Sequence, residues 1–378
     1  MKRSCRDSIR DHEVWCNSLD PSIRREPPHV FGDICDVFFD KGFLDEGSFI
    51  QKLLHADGAA LASHAFCHTH NTYCGLWPGR SAAAADVEVA GLPCTDYSKA
   101  GRRQRHEGVT NKVFISHAKR HVELGTPLLI LENVCLRTMQ KLYGNHYDIY
   151  PLYCKPEDSG HSGAARNRVY FVLVHKTNAV MTCDVQYLYD CVTAVIKKHV
   201  RTEVSDYLVS SNWEVSLEAA ELARSRRLRW PTTAKGAFGK RSWLLSLLTN
   251  REKDAIAYAQ SLYERKYHSK ASSNKNLVLH LGDNPRKYLI WSAASKKLPT
   301  RRLASTRLWH FQRRRWLTSR EVLLSMGFPA NADTAAAMGC PVVPIKDIKK
   351  SAHLAGNAMH FGTVSTVLII ALAACQPR

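Results

Sequence analysis

Two uninterrupted aliphatic runs limit what this chain can fold into: Leu128-Leu129-Ile130-Leu131, and Val169-Tyr170-Phe171-Val172-Leu173-Val174. A strand that is apolar at every position, rather than at alternate ones, has to be covered on both faces. That is the habit of inner strands in sheets flanked by helices. A third short run, Val87-Glu88-Val89-Ala90, precedes them, and residues 111–124 carry Val113, Phe114, Ala118 and Val122 at helical intervals. Strand, helix, strand in that order predicts a βαβ crossover and a largely parallel sheet. In such sheets the ligand crevice lies at the C-terminal strand ends.

Polar residues stand at the mouths of all three runs. Gly91-Leu92-Pro93-Cys94 leads into the turn-rich Thr95-Asp96-Tyr97-Ser98-Lys99-Ala100-Gly101, Glu132-Asn133-Val134 follows the second run, and Arg166-Asn167-Arg168 opens the third. A nucleophile, an acid and a basic clamp are thereby expected at one edge. Each has a plainer reading. A free cysteine is usually a small buried hydrophobe, but a proline before Cys94 and polar turn residues after it make a poor core segment. Glu132 taken alone reads equally as a strand-end carboxylate, and Arg166 with Arg168 as a solvated surface pair.

A length of 378 residues accommodates two domains, and 45% apolar with 23% charged residues describes a folded chain. The net charge of +19 favours a polyanionic partner through counterion release and steering, nucleic acid first, without separating DNA from RNA. Twelve cysteines with a polar start, Met1-Lys2-Arg3-Ser4-Cys5-Arg6, point to reduced thiols and an intracellular location, the nucleus in a eukaryote. The longest C-terminal apolar stretch, residues 364–375, is shorter than the ~20 residues that span a bilayer, so no membrane segment is expected, and no obligate protein partner is inferred. From about residue 177 to 300 basic and aromatic residues mix, among them Arg224, Arg226, Arg227, Arg229, Trp230, Lys235, Lys240, Arg241 and Trp243, and Arg301-Arg302 and Arg313-Arg314-Arg315-Trp316 continue the trend. One reading makes this a nucleic-acid face, with arginines on phosphates and Trp230 or Trp243 stacked on bases; the plainer one is a folded domain with buried tryptophans. Thr318-Ser319-Arg320-Glu321 is a capping box that predicts a helix ending at Gly327-Phe328-Pro329, and a last helix is expected over about residues 362–374.

Set in order, these pieces resemble the cytosine-5 DNA methyltransferase family, whose motifs run Pro-Cys loop, Glu-Asn-Val, Arg-x-Arg, variable region, Gly-Asn-Ala. Here they are Pro93-Cys94, Glu132-Asn133-Val134, Arg166-Asn167-Arg168 and Gly356-Asn357-Ala358, with further similarity at residues 14–21, Phe31-Gly32-Asp33-Ile34 and residues 317–329. The resemblance implies an α/β fold: a Rossmann-like S-adenosylmethionine-dependent methyltransferase sheet with a smaller target-recognition domain. It divides the chain into a catalytic domain over residues 1–176, a target-recognition region over 177–300, and 301–378 returning through the last helix. It implies transfer of a methyl group from S-adenosylmethionine to C5 of cytosine in DNA. Cys94 would add to C6 of an everted base, Glu132 would bind and protonate N3, and Arg168 and Arg166 would contact the cytosine carbonyl or a flanking phosphate and position Glu132. Asp33 would lie near the cofactor adenine, Pro93 beside the cofactor and Asn357 near its methionine part. RNA presents the same ring, so an RNA cytosine methyltransferase is the near alternative.

The pattern also departs from the family. No glycine precedes Gly32 where a Phe-x-Gly-x-Gly turn is expected, Ser18 stands where an acidic residue would grip the cofactor ribose, with Asp20 as a displaced substitute, and Ala164 replaces a glutamine. Either an N-terminally incomplete gene model or a degenerate relative that keeps the base pocket and binds nucleic acid accounts for this, and the chain as written is expected to transfer methyl weakly at best. Between Asp33 and Cys94 lie His64, Cys67, His68, His70 and Cys74. These are zinc-type donors, but their spacing matches no familiar finger, and Phe66 and Tyr73 among them read as packing residues. No metal ligand is assigned.

Overall fold

The computed structural model describes residues 9–10, 13–14, 17–18, 27–76, 86–93, 96–97, 104–132, 136–229, 243–300, 307–343, 345 and 348–378. In chain order its elements are helix α1 (Phe49–Gly58), strands β1 (His64–Cys67), β2 (Thr72–Gly75) and β3 (Val87–Gly91), then α2 (Asn111–Leu124), β4 (Leu128–Glu132), α3 (Leu136–Tyr143) and β5 (Tyr147–Cys154). There follow β6 (Arg168–His175), β7 (Ala179–Met181), α4 (Val185–His199), α5 (Asn212–Ser225), α6 (Trp243–Ser246) and α7 (Asn250–Tyr267). The chain closes with β8 (Val278–His280), β9 (Leu308–His310), β10 (Arg315–Trp316), α8 (Ser319–Leu324), α9 (Ala332–Ala337), α10 (Ile348–Asn357), α11 (Phe361–Ala374) and β11 (Cys375–Pro377).

Two compact units emerge. One comprises residues 1–153, 168–190 and 367–378, the other residues 154–167 and 191–366. The first holds a four-stranded sheet of order β3-β4-β6-β5. Every residue of β4 is buried, as are the last six of β6. Leu129 and Leu131 face the same way as their partners Leu173 and Phe171, and they share one apolar cluster with Phe114, Ile115 and Ala118 of α2 and Met139, Leu142 and Tyr143 of α3. The opposite face, with Leu128, Ile130, Val172 and Val174, is buried as well. Each such side chain contributes about 1.5–3 kcal/mol, which is why the two continuous runs form inner strands.

The expectation of a largely parallel sheet needs correction. β3 and β4 are parallel, as the βαβ reading requires, but β4 and β6 are antiparallel, with Glu132 opposite Tyr170 and Leu128 opposite Val174. A continuous apolar run signals burial on both faces and carries no information on direction. Reversal has a chemical result, because it brings the start of β6, with Arg168, to the edge where β4 ends.

The second unit is built on α5, α7 and an antiparallel sheet of order β10-β9-β8. Val215, Ala219 and Leu222 of α5 pack with Ala255 and Ala259 of α7 and with Trp309 and Trp316. The expected capping box is present: Thr318 accepts from the Glu321 amide at the start of α8, and Gly327 takes the left-handed φ of +77° that a side chain resists. Arginines that looked like a nucleic-acid face are partly spent inside this unit. Arg226 makes two contacts to Glu252, at 2.7 and 2.9 Å, and Arg315 two to Glu321, at 2.7 and 2.6 Å. Trp243 packs against the same core, whereas Trp230, Lys235, Lys240, Arg241, Arg301 and Arg302 lie outside the described residues.

Candidate active site

At the C-terminal end of β4 the register sets Glu132 beside Gly91 of β3 on one side and Tyr170 of β6 on the other. Residues two apart on a strand share a face, so Arg168 is a diagonal neighbour of Glu132 within reach of its long side chain. Its Nε lies 2.7 Å from Glu132 Oε1, with the two side chains only 20% and 8% exposed. A partly desolvated ion pair of this kind holds the two charged groups together at the strand ends. Glu132 is thus the last residue of its strand and Arg168 the first of its own, each one position further into the sheet than the sequence suggested.

Cys94 lies outside the described residues, as do Asn133 and Val134, but both flanks of the cysteine loop are described. Leu92 is buried and Pro93 half-buried at the end of β3. Beyond the loop, the fully buried Asp96 accepts from the Thr110 amide and hydroxyl at 2.9 and 2.6 Å, and its carbonyl accepts from the Arg105 amide at 2.8 Å. Tyr97 donates to Asn111, whose amide nitrogen donates to the carbonyls of Arg105 and Gly108 at 2.8 and 2.7 Å. A Cβ on Gly108 would come within 2.1 Å of the Asp96 carboxylate. Asp96, Gly108, Thr110 and Asn111 therefore anchor the loop to the N-terminus of α2. Sequence reasoning took Asp96 as a turn residue and Asn111 as the start of a helix and did not single out Gly108 or Thr110; the one available signal was an Asp two residues after the candidate nucleophile.

Arg166 belongs to the second unit. It is 4% exposed, which excludes the surface-pair reading, and its Nη2 donates to the Gly356 carbonyl at 3.4 Å. Near it are the buried His360 and the half-buried His161, whose rings are 4.8 Å apart. Burial drives His161 down to about 4. Burial, then the neighbouring His161 and Arg166, drives His360 down to about 3, so both are neutral near pH 7 and leave the guanidinium the charge of this pocket. Asn357 is exposed beside Gly356 at the end of α10. Ala164, in place of a glutamine, is strapped to Leu298 by a parallel bridge.

The fold is α/β, with helices packed on a mixed central sheet, and the family match places it in the Rossmann-like methyltransferase class. Residues 79–337, more than half of the chain, match the family described as C-5 cytosine-specific DNA methylase, and the chain belongs to that family. The matched range includes Pro93, Cys94, Glu132, Arg166 and Arg168, while Asp20, Asp33 and Asn357 fall outside it. Among solved structures the chain is similar to the Dnmt2 methyltransferase of S. pombe, at 14% identity and a TM-score of 0.37, over 76% of this chain and 78% of that one. No curated protein matches. Among the described residues no helix is long and apolar enough to cross a membrane.

Family membership implies S-adenosylmethionine as methyl donor, and of the residues assigned to it Asp33 is engaged in its own turn. Asp33 is exposed and its Oδ1 accepts from the Cys35 amide at 3.0 Å, capping the turn Ile34–Val37, which is the plain turn role that its place after Gly32 allowed. Ser18 is exposed, Asp20 lies outside the described residues, and no glycine-rich turn precedes Gly32.

Two clusters carry metal-type donors among the described residues. Glu88, His117 and His121 meet beneath the sheet, and His29, Cys67, His70 and Cys74 meet at the β1–β2 hairpin. The second overlaps the sequence cluster but exchanges His64 and His68 for His29. His64 instead contacts the Ser63 hydroxyl at 3.0 Å. Phe66 and Tyr73, expected to pack, are 40% and 71% exposed.

Proposed function

We propose that this chain acts on cytosine in DNA at the shared edge of β3, β4 and β6, the overall reaction being transfer of a methyl group from S-adenosylmethionine to C5. The observation that carries this reading is the 2.7 Å Arg168–Glu132 contact beside Gly91, three residues before Cys94. In the steps assigned to the chain's own groups, the Cys94 thiolate forms a bond to C6 of an everted base. The C5=C6 electron pair moves toward C5 and the ring nitrogen, and Glu132, held by Arg168, supplies the proton at N3. The ring is then nucleophilic at C5. Addition of an electrophile at C5, the transferred methyl group or a solvent proton, is followed by loss of the original C5 hydrogen as a proton to solvent and expulsion of the Cys94 thiolate, while the N3 proton returns to Glu132, and aromaticity is restored. Arg166 is assigned to holding the Gly356 carbonyl next to Asn357, and the net charge of +19 supplies non-specific attraction to phosphates.

A second reading is favoured by Asp33, whose carboxyl caps its own turn: a relative that binds nucleic acid and engages the base without efficient methyl transfer. One assay separates the two. The adduct alone exchanges the C5 hydrogen with solvent, so tritium release from DNA labelled at cytosine C5 reports Cys94 chemistry without donor, and labelled S-adenosylmethionine reports the complete reaction. Exchange without methylation supports the second reading. Equal exchange in the parent chain and in Cys94→Ala removes the nucleophile assignment from both, and preferential exchange on RNA moves the substrate from DNA to RNA.

A further inference from the structure

The β1–β2 hairpin sits outside the chemistry just described, and by itself it is a weak structure. It has two strands, and its aromatic residues Phe66 and Tyr73 lie largely in solvent; an isolated two-stranded hairpin of this kind is marginal in water. Yet its register is well defined. Ala65 pairs with Cys74 and Cys67 with Thr72, which makes Cys67 and Cys74 diagonal neighbours on one face. The turn between the strands passes through Asn71 at φ +53° and carries His70. A third extended segment runs along β1: Phe31 bridges Cys67 in antiparallel fashion, the His68 amide donates to the Val30 carbonyl at 2.8 Å, and the Thr69 hydroxyl donates to the Pro28 carbonyl at 2.7 Å. His29 is two residues from Phe31 and so points to the same side of this ribbon as Cys67.

We propose that His29, Cys67, His70 and Cys74 form a structural zinc site that clips these three segments together. Two thiols and two imidazoles are a preferred zinc donor set. All four donor atoms lie within 4.8 Å of one another, and the sulfurs of Cys67 and Cys74 lie 3.5 and 3.4 Å from the same nitrogen, His70 Nδ1. A tetrahedral ion with Zn–S of about 2.3 Å and Zn–N of about 2.0–2.1 Å places sulfur and nitrogen ~3.5 Å apart. One imidazole nitrogen offers a single proton or a single lone pair, so two thiols gathered on it are better explained by a cation shared among all three than by two full hydrogen bonds. The His29 and His70 rings approach to 4.7 Å at 64°, compatible with two ligands on one centre.

Four protein donors complete a tetrahedron, so the site has no open position for substrate and its role is to hold the fold. Cys67 is buried, while His29 and His70 are exposed, which leaves the ion open to exchange with solvent. Its effect reaches the rest of the unit through the stretch that leads from His29 to Asp33 and the turn Ile34–Val37. The ion would add its bonds to the hydrogen bonds named above that tie this stretch to the hairpin.

The test uses the full chain purified under reducing conditions. Metal analysis should return zinc. Exchange with cobalt(II) should give the visible bands of tetrahedral cobalt together with sulfur-to-cobalt charge transfer in the near ultraviolet. The sulfur band distinguishes this site from Glu88, His117 and His121, which contain no sulfur. Cys74→Ser should lose most of the charge-transfer intensity, and His68→Ala, in the same turn but outside the cluster, should retain it. Should Cys74→Ser fail to fold, His29→Gln at an exposed position serves instead and should release its metal to a chelator faster than the parent chain. Cobalt uptake without a sulfur band, a band that survives in Cys74→Ser, or a parent chain that takes up neither zinc nor cobalt would each overturn the assignment.

Discussion

Two arginine–glutamate pairs in this molecule use the same side chains for different ends. Arg315 and Glu321 are 4% and 0% exposed, and their charges are enclosed on every side that the described residues show. Glu321 receives both guanidinium contacts and also the amides of Thr318 at 2.9 Å and Ser210 at 3.0 Å, while Arg315 also donates to the Trp316 carbonyl at 2.9 Å. Arg168 and Glu132 meet, Nε to Oε1, at the end of a sheet, with one-fifth of the arginine side chain open to solvent. The closed pair is scaffold, because desolvated charges persist only when their hydrogen-bonding capacity is filled. The edge pair leaves part of its charge open to solvent, which is what the proposed reaction needs of it.

That contrast can be broken most forcefully at the closed pair. Glu321→Ala should strand Arg315 in the core and lower stability by about 3–5 kcal/mol, read as a fall in denaturant midpoint; a near-neutral change would mean that the pair is not desolvated as its geometry indicates. Glu132→Gln at the open pair should leave the unfolding midpoint almost unchanged and lower C5 hydrogen exchange about 10²–10⁴-fold. A stability loss as large as that of Glu321→Ala, with exchange intact, would make both pairs scaffold. Arg168→Lys keeps the charge but not the planar fork, and about a tenfold loss of exchange, roughly 1.4 kcal/mol, is expected at unchanged stability.

The smallest effect concerns pH. His310 faces Arg315 across β9 and β10. Its Nε2 donates to the Lys275 carbonyl at 2.9 Å, and its Nδ1 accepts from the Arg313 amide at 2.9 Å. Burial is the main force holding this ring down to about 4, against the usual 6.5, with Arg315 and Arg313 adding to it and the hydrogen bond to Lys275 and the charge of Glu321 opposing. A depressed histidine leaves the folded state neutral while the unfolded chain takes up a proton. Its contribution is therefore complete above pH 6.5 and is lost as the pH falls from 6.5 toward 4. Over the first pH unit below 6.5 the loss is about 1 kcal/mol. In His310→Gln the melting temperature should fall less steeply with acid over that window, and an unchanged slope would show that the ring does not titrate this way.

Much of this was legible before any coordinates. The helix over residues 111–124 follows from the spacing of Val113, Phe114, Ala118 and Val122, and α8 from its capping box, because both signals are local: a side chain's neighbours three and four residues away decide them. The strand ends at Glu132 and Arg168 were found to within a residue by the same kind of reasoning. The direction of β6 was hidden, since a uniformly apolar run packs equally well either way. So was the fate of the basic residues: Arg226 and Arg315 look like any exposed arginine until Glu252 and Glu321 arrive from positions fixed by other helices. His29 was missed for a related reason. It lies 38 residues before Cys67 by subtraction of their positions, and the antiparallel bridge at Phe31, with the hydrogen bonds to the Val30 and Pro28 carbonyls, brings it to the hairpin.

What the sequence determined by itself was chemistry and local form: the cysteine loop, the acid and the arginines at strand ends, the buried strands and the capped helices. All are set by residue type and by contacts a few positions apart. Tertiary structure alone decided pairing. It turned β6 to set Arg168 against Glu132, enclosed Arg315 with Glu321, buried Arg166 beside the Gly356 carbonyl, and gathered two histidines and two cysteines from three segments. Such pairings depend on sheet register and on burial, which arise when distant segments exclude water together, and no short stretch of sequence carries that information.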